Sequence, residues 1–389
     1  MRYALISETY PPEINGVALT VQSLEQGLRQ RGHEVQLIRP KQRDEAAALA
    51  ESVTPAEHLL TVPSLPVPKY PQLRFGLPST NRLLKLWKAA RPDAVYVATE
   101  GPLGWSALRA AKILGIPAVT GFHTRFDEYM RDYGVGFMRP LAVSWMRRFH
   151  NRAARTLVPT RELQRELQEL GFEGVDCLPR AVDCNRFTPQ RRDASLRTQW
   201  GLGRHDLAVV YLGRIAAEKN LQLSINAFRA LQMQRPDARY IWIGDGPKRA
   251  EIEAENPDFI FTGTLRGTEL ATALASCDLF VFPSRSETFG NVTLEAMASG
   301  VPTIAFDYGS AHEFLRHRIH GEVLPVDDDN GFTDAVVRLG LDDTRRPAMG
   351  LAARQAMEKL RPEQVAADLD SMLCGLAVKG DHDAKAALA

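Results

Sequence analysis

The sequence predicts an α/β protein made of two doubly wound parallel-sheet domains of the Rossmann-like type. Its 389 residues exceed the roughly 250–300 residues at which one hydrophobic core usually stops growing. Short apolar runs alternate with helical patterns along most of the chain, which is typical of parallel sheets with helices on both faces. Each half also begins with a strand, a glycine-bearing loop and a helix. These observations favour two similar domains, with the loops at the carboxyl ends of their strands facing a shared cleft.

The strand candidates are nine short runs rich in β-branched and aromatic residues: 3–6, 35–38, 94–97, 118–120, 207–212, 240–243, 259–261, 279–282 and 303–305. The alternation weakens between about 180 and 206, where prolines, glycines and a charged stretch occur. We therefore predict an N-terminal domain at 1–185 and a C-terminal domain at 186–360. We expect residues 361–389 to form a helix that crosses back to the N-terminal domain, followed by a disordered tail.

Residues 41–80 are the least regular stretch of the first domain and are rich in proline. A stretch this long without a clear period is typical of a functional loop or lid. An extended surface connection accounts for the same pattern equally well, so both interpretations stay open.

The net charge of the chain is close to zero, with 48 Lys and Arg against 47 Asp and Glu. This balance excludes a strongly basic nucleic-acid-binding domain, and we expect no nucleic acid partner. It conceals an asymmetry, because residues 1–190 hold 25 basic and 19 acidic residues while the remainder hold 23 and 28. A charged partner for the first half explains this split, and so does chance.

Cysteine usage and hydropathy favour a cytoplasmic protein. The four cysteines include no Cys-x-x-Cys pair, so they predict reduced thiols and no zinc site. The N-terminus reaches Glu8 after only a few apolar residues, too few for a signal peptide. No apolar run is long enough to span a bilayer. Any contact with a membrane is therefore expected from its surface, at the inner face of the plasma membrane.

Two cations follow a predicted strand of the second half, where Arg214 comes directly after Gly213 and Lys219 lies at the start of the next helix. The N-terminal amides of a helix favour an anion, so this arrangement indicates a diphosphate site. An Arg and a Lys at this spacing also occur on ordinary solvated surfaces, and the pair alone does not decide between the two.

Two carboxylates, Glu287 and Glu295, lie around the start of a helix that follows the strand 279–282. Carboxylates accept hydrogen bonds from hydroxyl groups, and backbone amides of the intervening glycine-bearing loop donate them. The segment therefore predicts a site for a polyhydroxylated ligand such as a sugar.

Five segments, taken together and in this order, are similar to the retaining glycosyltransferases of family 4, which have the GT-B fold: 11–17, 121–124, 213–219, 243–247 and 287–295. The similarity extends over nearly the whole chain, and it implies that the predicted domain 1–185 binds the acceptor and the predicted domain 186–360 binds the donor. The segment 122–134 resembles most the bacterial members that act on lipids, namely glycosyl-, mannosyl- and sulfoquinovosyltransferases.

The resemblance implies catalytic roles for four residues. Arg214 and Lys219 would hold the donor diphosphate and stabilise the departing nucleoside diphosphate. Glu287 would hold the transferred sugar, and His123 would lie beside it. Glu295 would accept hydrogen bonds from the ribose hydroxyls. The other donor-binding positions that the resemblance implies are Gly16, Gly244, Leu265, Phe289, Gly290 and Asn291.

The chemistry of His123 depends on this resemblance, since a histidine at a strand end is often just packed against its neighbours. Its place after the predicted strand 118–120 puts it at the carboxyl edge of the sheet, which favours the functional role. The resemblance implies an orienting group rather than a general base. Substitution would occur on one face of the anomeric carbon, with a donor phosphate oxygen receiving the acceptor proton.

We expect no cofactor and no catalytic metal. Asp-x-Asp patterns occur at 327–329, 368–370 and 381–383, but so short a pattern is common by chance. His312 and His317 are five residues apart, about 140° around a helix, whereas a zincin needs the spacing i, i+4. We interpret this segment as a surface helix.

A basic segment without acidic residues extends from Asp132 to Glu162. On a helix, Trp145 and other apolar residues gather on one side, and most arginines lie on the other. This pattern predicts an amphipathic helix that lies on an anionic bilayer, although an apolar stripe packed into the domain core explains it too. The membrane or acceptor candidates are Arg139, Trp145, Arg147, Arg148 and Arg152.

The resemblance favours transfer of a hexose from a nucleotide sugar, with a UDP-sugar first, to a membrane lipid such as diacylglycerol. The alternatives are a GDP-mannose-dependent mannosyltransferase acting on a lipid or polysaccharide, and a sugar-nucleotide-binding protein without turnover. Residues 265–269 give no physical basis for choosing between uracil and guanine. We expect a monomer or a weak dimer.

Overall fold

The chain forms two compact units, each of which has its own parallel sheet. The computed structural model describes residues 1–13, 15–50, 54–67, 70–123, 139–285, 287 and 289–386. Unit 1 comprises Met1–Ala181 and Pro362–Ala389, and unit 2 comprises Val182–Arg361. The predicted α/β class is therefore confirmed.

Unit 1 contains a seven-stranded parallel sheet in the order β3-β2-β1-β6-β7-β8-β9, together with an antiparallel hairpin of β4 and β5. Its strands are β1 (Arg2–Ile6), β2 (Glu34–Pro40), β3 (Leu59–Val62), β4 (Ser64–Val67), β5 (Tyr70–Gly76), β6 (Ala94–Val97), β7 (Ala118–Gly121), β8 (Arg155–Val158) and β9 (Val175–Cys177). Its helices before residue 181 are α1 (Gly16–Gln30), α2 (Glu45–Ala50), α3 (Thr80–Ala89), α4 (Pro102–Leu114), α5 (Arg139–His150) and α6 (Arg161–Glu169).

Unit 2 contains a six-stranded parallel sheet in the order β12-β11-β10-β13-β14-β15. Its strands are β10 (Ala208–Leu212), β11 (Arg239–Ile243), β12 (Ile260–Gly263), β13 (Leu279–Phe282), β14 (Thr303–Phe306) and β15 (Gly321–Leu324). Its helices are α7 (Ala194–Gln199), α8 (Leu221–Gln234), α9 (Arg249–Glu255), α10 (Gly267–Ala275), α11 (Asn291–Ala298), α12 (Gly309–Phe314), α13 (Asp329–Leu341) and α14 (Arg345–Met357).

Each sheet reverses its strand order beside its first strand. In unit 1 the strand β1 lies between β2 and β6, and in unit 2 the strand β10 lies between β11 and β13. Connections leave such a switch point toward opposite faces of the sheet and open a crevice at the carboxyl ends of the strands, where α/β proteins bind ligands. The loops after β1, β10 and β13 carry most of the predicted site residues, so the topology accounts for their position.

All nine predicted strands are present. The strands that the sequence did not predict are β3, β4, β5, β8, β9 and β15. Pro66 and Pro71 lie within the hairpin, and proline is atypical of strands because it lacks a ladder donor. The strands β8, β9 and β15 are only three or four residues long and contain charged residues. The irregular stretch 41–80 thus holds strands and a short helix.

The C-terminal helix α15 (Pro362–Ala386) belongs to unit 1 and packs against α1. A Cβ atom on Gly27 would lie 2.3 Å from the Cβ of Ala366, so the two helix backbones approach closely there. The buried Asp370 carboxylate accepts hydrogen bonds from the Tyr3 hydroxyl at 2.8 Å and from Nε of Arg31 at 2.9 Å. These contacts anchor the helix on unit 1. In the part of the chain that the structure describes, no helix combines the length and apolar character needed to cross a membrane.

Candidate active site

The loop after β10 presents Arg214 at the switch point of unit 2. The preceding Gly213 has φ +151°, a backbone angle that side chains disfavour. The buried Tyr211 donates a hydrogen bond from its hydroxyl to the carbonyl of Arg214 at 2.8 Å, and the amide of Ile215 donates to the carbonyl of Asp245 at 3.0 Å. The Arg214 side chain is half exposed and lies 3.7 Å from Glu218. The backbone of this loop is therefore fixed while the guanidinium is accessible to an anion.

Glycines on the neighbouring loop allow this arrangement. A Cβ atom on Gly244 would lie 2.0 Å from the carbonyl oxygen of Gly213, and one on Gly246 would lie 2.3 Å from that of Ile215. The loops after β10 and β11 thus meet backbone to backbone, and any side chain would separate them. Gly244, which the resemblance assigns to the donor site, has this structural reason for being glycine.

Lys219 and Glu287 form an ion pair, although they are far apart in sequence. Because β10 and β13 are adjacent strands, their following loops meet, and Nζ of Lys219 lies 2.5 Å from Oε1 of Glu287. The Ser284 hydroxyl donates to the same oxygen at 2.9 Å. Both charged side chains are mostly buried, at 16% and 20% exposure. The predicted diphosphate-binding lysine and the predicted sugar-binding carboxylate therefore belong to one cluster, which we call the Lys219 cluster.

The start of α11 lies next to this cluster. Gly290, at φ +88°, precedes the first helical residue Asn291. Ser310 holds the turn, because its amide donates to the carbonyl of Phe289 at 2.7 Å and its hydroxyl donates to that of Gly290 at 2.8 Å. The Phe289 ring is buried and packs edge-on against Phe314. With these carbonyls anchored, the helix start carries the partial positive charge that favours a phosphate or a sugar oxygen. Residues 286 and 288 lie outside the described part of the chain.

Glu295 lies one turn inside α11 and is partly buried. Burial raises the pKa of its carboxyl group to about 7, against a lowering by the positive charge of Arg186. A carboxyl group placed in a poorly solvated position costs stability, so its presence here is consistent with a binding role. Leu265, in the loop between β12 and α10, is half-buried and packs against the unit 2 core.

His123 follows β7 at the carboxyl edge of the unit 1 sheet. Its Nε2 atom lies 2.8 Å from the Tyr96 hydroxyl, and its carbonyl accepts from Arg180 at 3.5 Å. Burial lowers the pKa of its ring to about 3, and the positive charges of Arg180 and His150 lower it further. The ring is therefore neutral near pH 7. A neutral ring agrees with the orienting role that the resemblance implies.

Two carboxylates that the sequence did not single out lie in the loop after β1. Burial raises the pKa of Glu8 to about 7 and that of Glu13 to about 6. Glu8 accepts hydrogen bonds from the amides of Gly76 at 2.5 Å and Leu103 at 2.9 Å, so it joins the hairpin, the β1 loop and the start of α4. The signal in the sequence that could have identified Glu8 is its position as an acidic residue shortly after the buried strand β1.

The same loop leads into α1, whose first residue is Gly16. Asn15 caps the helix, because its Oδ1 accepts from the amide of Ala18 at 2.8 Å. Its Nδ2 donates to Thr9 at 2.6 Å, and Thr9 in turn donates to Glu13 at 2.5 Å. The Pro-Pro-x-x-Asn-Gly-Val segment thus contains a capping residue, and Gly16 lies at the beginning of the helix where close approach to an anion is possible.

The predicted amphipathic helix is α5, and its apolar residues divide between two environments. Met146 and Phe149 are buried at 1% and 0% exposure, whereas Trp145 and Leu141 are exposed at 44% and 68%. The Trp145 ring lies 6.1 Å from that of Trp105 on α4. The core-packing interpretation therefore holds for Met146 and Phe149, whereas Leu141 and Trp145 on the same helix are exposed to solvent.

The arginines of this segment also divide. Arg152 lies over the Trp105 ring, with Cζ 4.7 Å from the ring centroid, and Arg148 is exposed. Arg147 donates to the carbonyl of Leu170 at 3.1 Å, which gives it a structural partner. The side chain of Arg139 lies outside the described part of the structure.

The histidine-rich segment needs one correction. The sequence predicts that His312 and His317 lie on one surface helix. The helix α12 ends at Phe314, so this prediction is wrong. Instead His312 pairs with Asp307 at 2.8 Å, and Nδ1 of His317 accepts from the amide of Val323 at 3.1 Å. The charged residues 316–318 resemble a helical surface, but the chain turns there into β15. Among the described residues, no three His, Cys, Asp or Glu side chains are grouped so as to hold a metal ion.

Two family models match the chain. The model described as Glycosyltransferase Family 4 matches residues 14–186, and the model described as Glycosyl transferases group 1 matches residues 206–342. The first falls in unit 1, apart from its last few residues, and the second lies within unit 2.

Curated relatives agree with these matches. A GDP-mannose-dependent alpha-mannosyltransferase of Mycolicibacterium smegmatis is 34% identical over 92% of this chain and 92% of its own length. A sulfoquinovosyl transferase of Arabidopsis thaliana is 32% identical over 76% of this chain and 59% of its own. An alpha-monoglucosyldiacylglycerol synthase of Streptococcus pneumoniae is 27% identical over 85% and 76%.

Solved structures show the same fold. Sucrose-phosphate synthase of Thermosynechococcus elongatus superposes with a TM-score of 0.77 at 19% identity, covering 97% of this chain and 99% of that one. The Anabaena protein HepE, solved with UDP and glucose, gives a TM-score of 0.73 at 18% identity over 96% and 100%. Three findings agree: family models match both units, a relative is 34% identical over nearly the full length, and these solved structures have the GT-B fold. The chain is therefore a glycosyltransferase and belongs to glycosyltransferase family 4.

Proposed function

We propose that this enzyme transfers a hexose, with retention at the anomeric carbon, from a nucleoside-diphosphate sugar to a hydroxyl group of a membrane lipid. The observation that carries the proposal is the Lys219 cluster beside Arg214. It places two cations, a carboxylate and a helix start at the switch point of unit 2, where a diphosphate and a sugar can both be bound.

In the proposed reaction, Arg214 and Lys219 bind the donor diphosphate. The bond between the anomeric carbon and the phosphate oxygen breaks, and these cations stabilise the negative charge that develops on the leaving group. The acceptor oxygen forms its bond to the same face of the carbon, and its proton passes to a phosphate oxygen of the departing nucleoside diphosphate. Glu287 and the amides at the start of α11 hold the sugar hydroxyls. Because the two side-chain cations neutralise the diphosphate, we propose that no metal ion takes part.

GDP-mannose is the donor that the relatives support best. Three relatives named GDP-mannose-dependent alpha-mannosyltransferases are 32–34% identical over 92% of this chain. The sequence favours a UDP-sugar, and the resemblance to diacylglycerol glycosyltransferases keeps that donor as the second candidate. The two differ in the base, so free nucleotides distinguish them.

We expect GDP to stabilise the protein more than UDP or ADP does. A ligand at a concentration 100 times its Kd adds about 2.7 kcal/mol to the free energy of unfolding, which raises the Tm of a domain of this size by roughly 5–10 °C. Thermal unfolding with each nucleotide measures this shift. A larger shift with UDP would exclude GDP-mannose in favour of a UDP-sugar. A shift with GDP, but no GDP release from GDP-mannose in the presence of lipid vesicles, would support the binding protein without turnover.

The lipid acceptor implies that the protein works at a membrane surface, and we propose peripheral binding at the inner face of the plasma membrane, as a monomer or a weak dimer. The support is the exposed part of α5, where Leu141 and Trp145 lie one turn apart, with Arg148 on the same helix and Arg152 just after its end. Apolar side chains can enter the interface while the arginines bind anionic headgroups.

Leu141→Glu is expected to weaken binding to vesicles that contain anionic phospholipid by about 10-fold. The substitution removes apolar surface that would enter the membrane and adds a negative charge that the anionic headgroups repel. Its side chain is 68% exposed, so the fold should be unaffected. Leu351→Glu is the matched control, since Leu351 on α14 is 62% exposed. Co-sedimentation at low salt measures both. Equal binding by the two variants would exclude α5 as the membrane contact.

A further inference from the structure

The hydroxyl of Tyr96 is the only hydrogen-bond partner of the His123 ring among the described residues. Tyr96 lies on β6 beside β7, and its ring is 1% exposed. Its hydroxyl oxygen is 2.8 Å from Nε2 of His123, while Nδ1 is inaccessible to solvent and has no hydrogen-bond partner in the described structure. The two ring nitrogens are therefore in different environments.

Gly121 makes this contact possible. A Cβ atom on Gly121 would lie 2.3 Å from the Tyr96 hydroxyl oxygen and 2.6 Å from Nε2 of His123. Both distances are shorter than real Cβ contacts allow, so any side chain at residue 121 would push the pair apart. The glycine in the Gly-Phe-His-Thr segment therefore has a role in the placement of the histidine ring.

Both partners are neutral near pH 7. Burial lowers the pKa of His123 to about 3, and burial raises the pKa of the Tyr96 phenol above its usual range. A neutral imidazole carries one N–H, on either Nδ1 or Nε2. The phenol carries one proton and can donate or accept.

The two tautomers leave different numbers of polar groups without a partner. If Nε2 carries the proton and donates to Tyr96, the phenol proton has no acceptor among the described residues, and Nδ1 has no donor. If Tyr96 donates to Nε2, only the N–H on Nδ1 lacks a partner in the part of the chain that the structure describes. Each buried group without a partner costs about 1–3 kcal/mol, so the second arrangement is the more stable one.

We infer that Tyr96 is a positioning residue, whose hydroxyl donates to Nε2 and so holds the His123 ring in the tautomer protonated on Nδ1. The link from this tautomer to turnover rests on the proposed function, in which His123 has the orienting role that the resemblance implies. The tautomer itself is a property of the protein alone, and it can be measured without substrate.

The first test is the nitrogen NMR spectrum of the histidine rings. The chemical shifts of protonated and unprotonated ring nitrogens differ widely, and the His123 signals are identified by their loss in His123→Asn. We expect Nδ1 to be protonated in the wild-type protein, and we expect Tyr96→Phe to shift the population toward Nε2. A wild-type spectrum with the proton on Nε2, or no change in Tyr96→Phe, would overturn the inference whether or not the protein transfers sugar.

The second test is kinetic. We expect Tyr96→Phe to lower kcat for nucleoside diphosphate release by about 10-fold, with the nucleotide Kd unchanged within a factor of two. In the background of His123→Asn, whose amide cannot change tautomer, the same substitution should change kcat less than twofold. Tyr240→Phe is the matched control, because Tyr240 is a fully buried phenol in unit 2 whose hydroxyl bonds to Ser224. Equal losses from Tyr96→Phe in both backgrounds would show a structural role and contradict the inference.

Discussion

Arg214→Ala and Glu287→Ala are each expected to lower kcat/KM for sugar transfer by about 10²–10³, and Arg214→Ala should leave folding unchanged. The loss corresponds to about 3–4 kcal/mol of transition-state stabilisation, the usual cost of removing one preorganised electrostatic partner. The Arg214 side chain is half exposed and lies 3.7 Å from Glu218, so little stability depends on it. The backbone of its loop is held through Tyr211 and does not depend on the guanidinium.

The carboxylate needs a more careful design, because Glu287→Ala also removes a partner of Lys219 and Ser284. Glu287→Gln keeps one acceptor oxygen for Ser284 and removes only the charge. We expect both variants to lose activity, the alanine variant more. Glu358→Ala is the control, since Glu358 forms an ion pair with Arg354 on the surface of unit 2. Initial rates with saturating acceptor measure the effect, and rates near the wild-type value in the Arg214 and Glu287 variants would remove both residues from the site.

Much of this site could be predicted from the sequence, because it follows from the alternation of strands and helices. Once β10 and β13 are recognised as strands of one parallel sheet, their following loops must lie at the same edge. Lys219 and Glu287, which are 68 residues apart, are therefore brought to 2.5 Å. The same rule places His123 and Gly16 at the corresponding edge of the unit 1 sheet.

The partners of these residues could not be predicted, because no periodic pattern identifies them. Tyr96 has the appearance of an ordinary core residue in an apolar strand, and its contact with His123 depends on the absence of a side chain at Gly121. Ser310 supports the turn before α11 from a helix 20 residues further along the chain. Such contacts are set by the path of the backbone in three dimensions.

The helix α5 shows a different limit. Its sequence fits both a membrane-surface helix and a core helix, and in the structure its apolar residues divide between buried and exposed positions. Phe149 and Met146 are core residues, whereas Leu141 and Trp145 are exposed. Hydrophobic periodicity finds the apolar side of a helix, but it does not say how far the neighbouring elements cover that side.

Glu295→Gln is expected to stabilise the protein above pH 7 and to weaken donor binding. Burial raises the pKa of this carboxyl group from 4.5 to about 7, so the folded protein binds its proton more tightly than the unfolded chain. Protonation of Glu295 contributes its full amount to the free energy of unfolding below about pH 4.5, and this contribution is lost as the pH rises through 7. The loss is at most about 3 kcal/mol. The amide of Gln carries no charge at any pH, so the free energy of unfolding of the variant does not fall in this way as the pH rises.

The measurement is the difference in the free energy of unfolding between Glu295→Gln and the wild-type protein, followed from pH 4 to pH 9. The difference isolates Glu295, because Glu8 also has a raised pKa of about 7 and contributes equally to both proteins. We expect the advantage of the variant to grow with pH up to about 3 kcal/mol. A difference that stays constant with pH would show that Glu295 is not the titrating group.

Donor affinity should change in the opposite direction. A hydrogen bond to an ionised carboxylate contributes about 1.5–3 kcal/mol, against about 0.5–1.5 kcal/mol for a neutral one, so Glu295→Gln should raise the Kd for GDP-mannose by roughly 10-fold at pH 8. The phosphates of GDP-mannose do not titrate near pH 7, so an affinity that increases through pH 7 in the wild-type protein and not in the variant reports Glu295 alone. A variant that gains stability without losing affinity would show that the buried carboxylate of Glu295 does not hold the ribose.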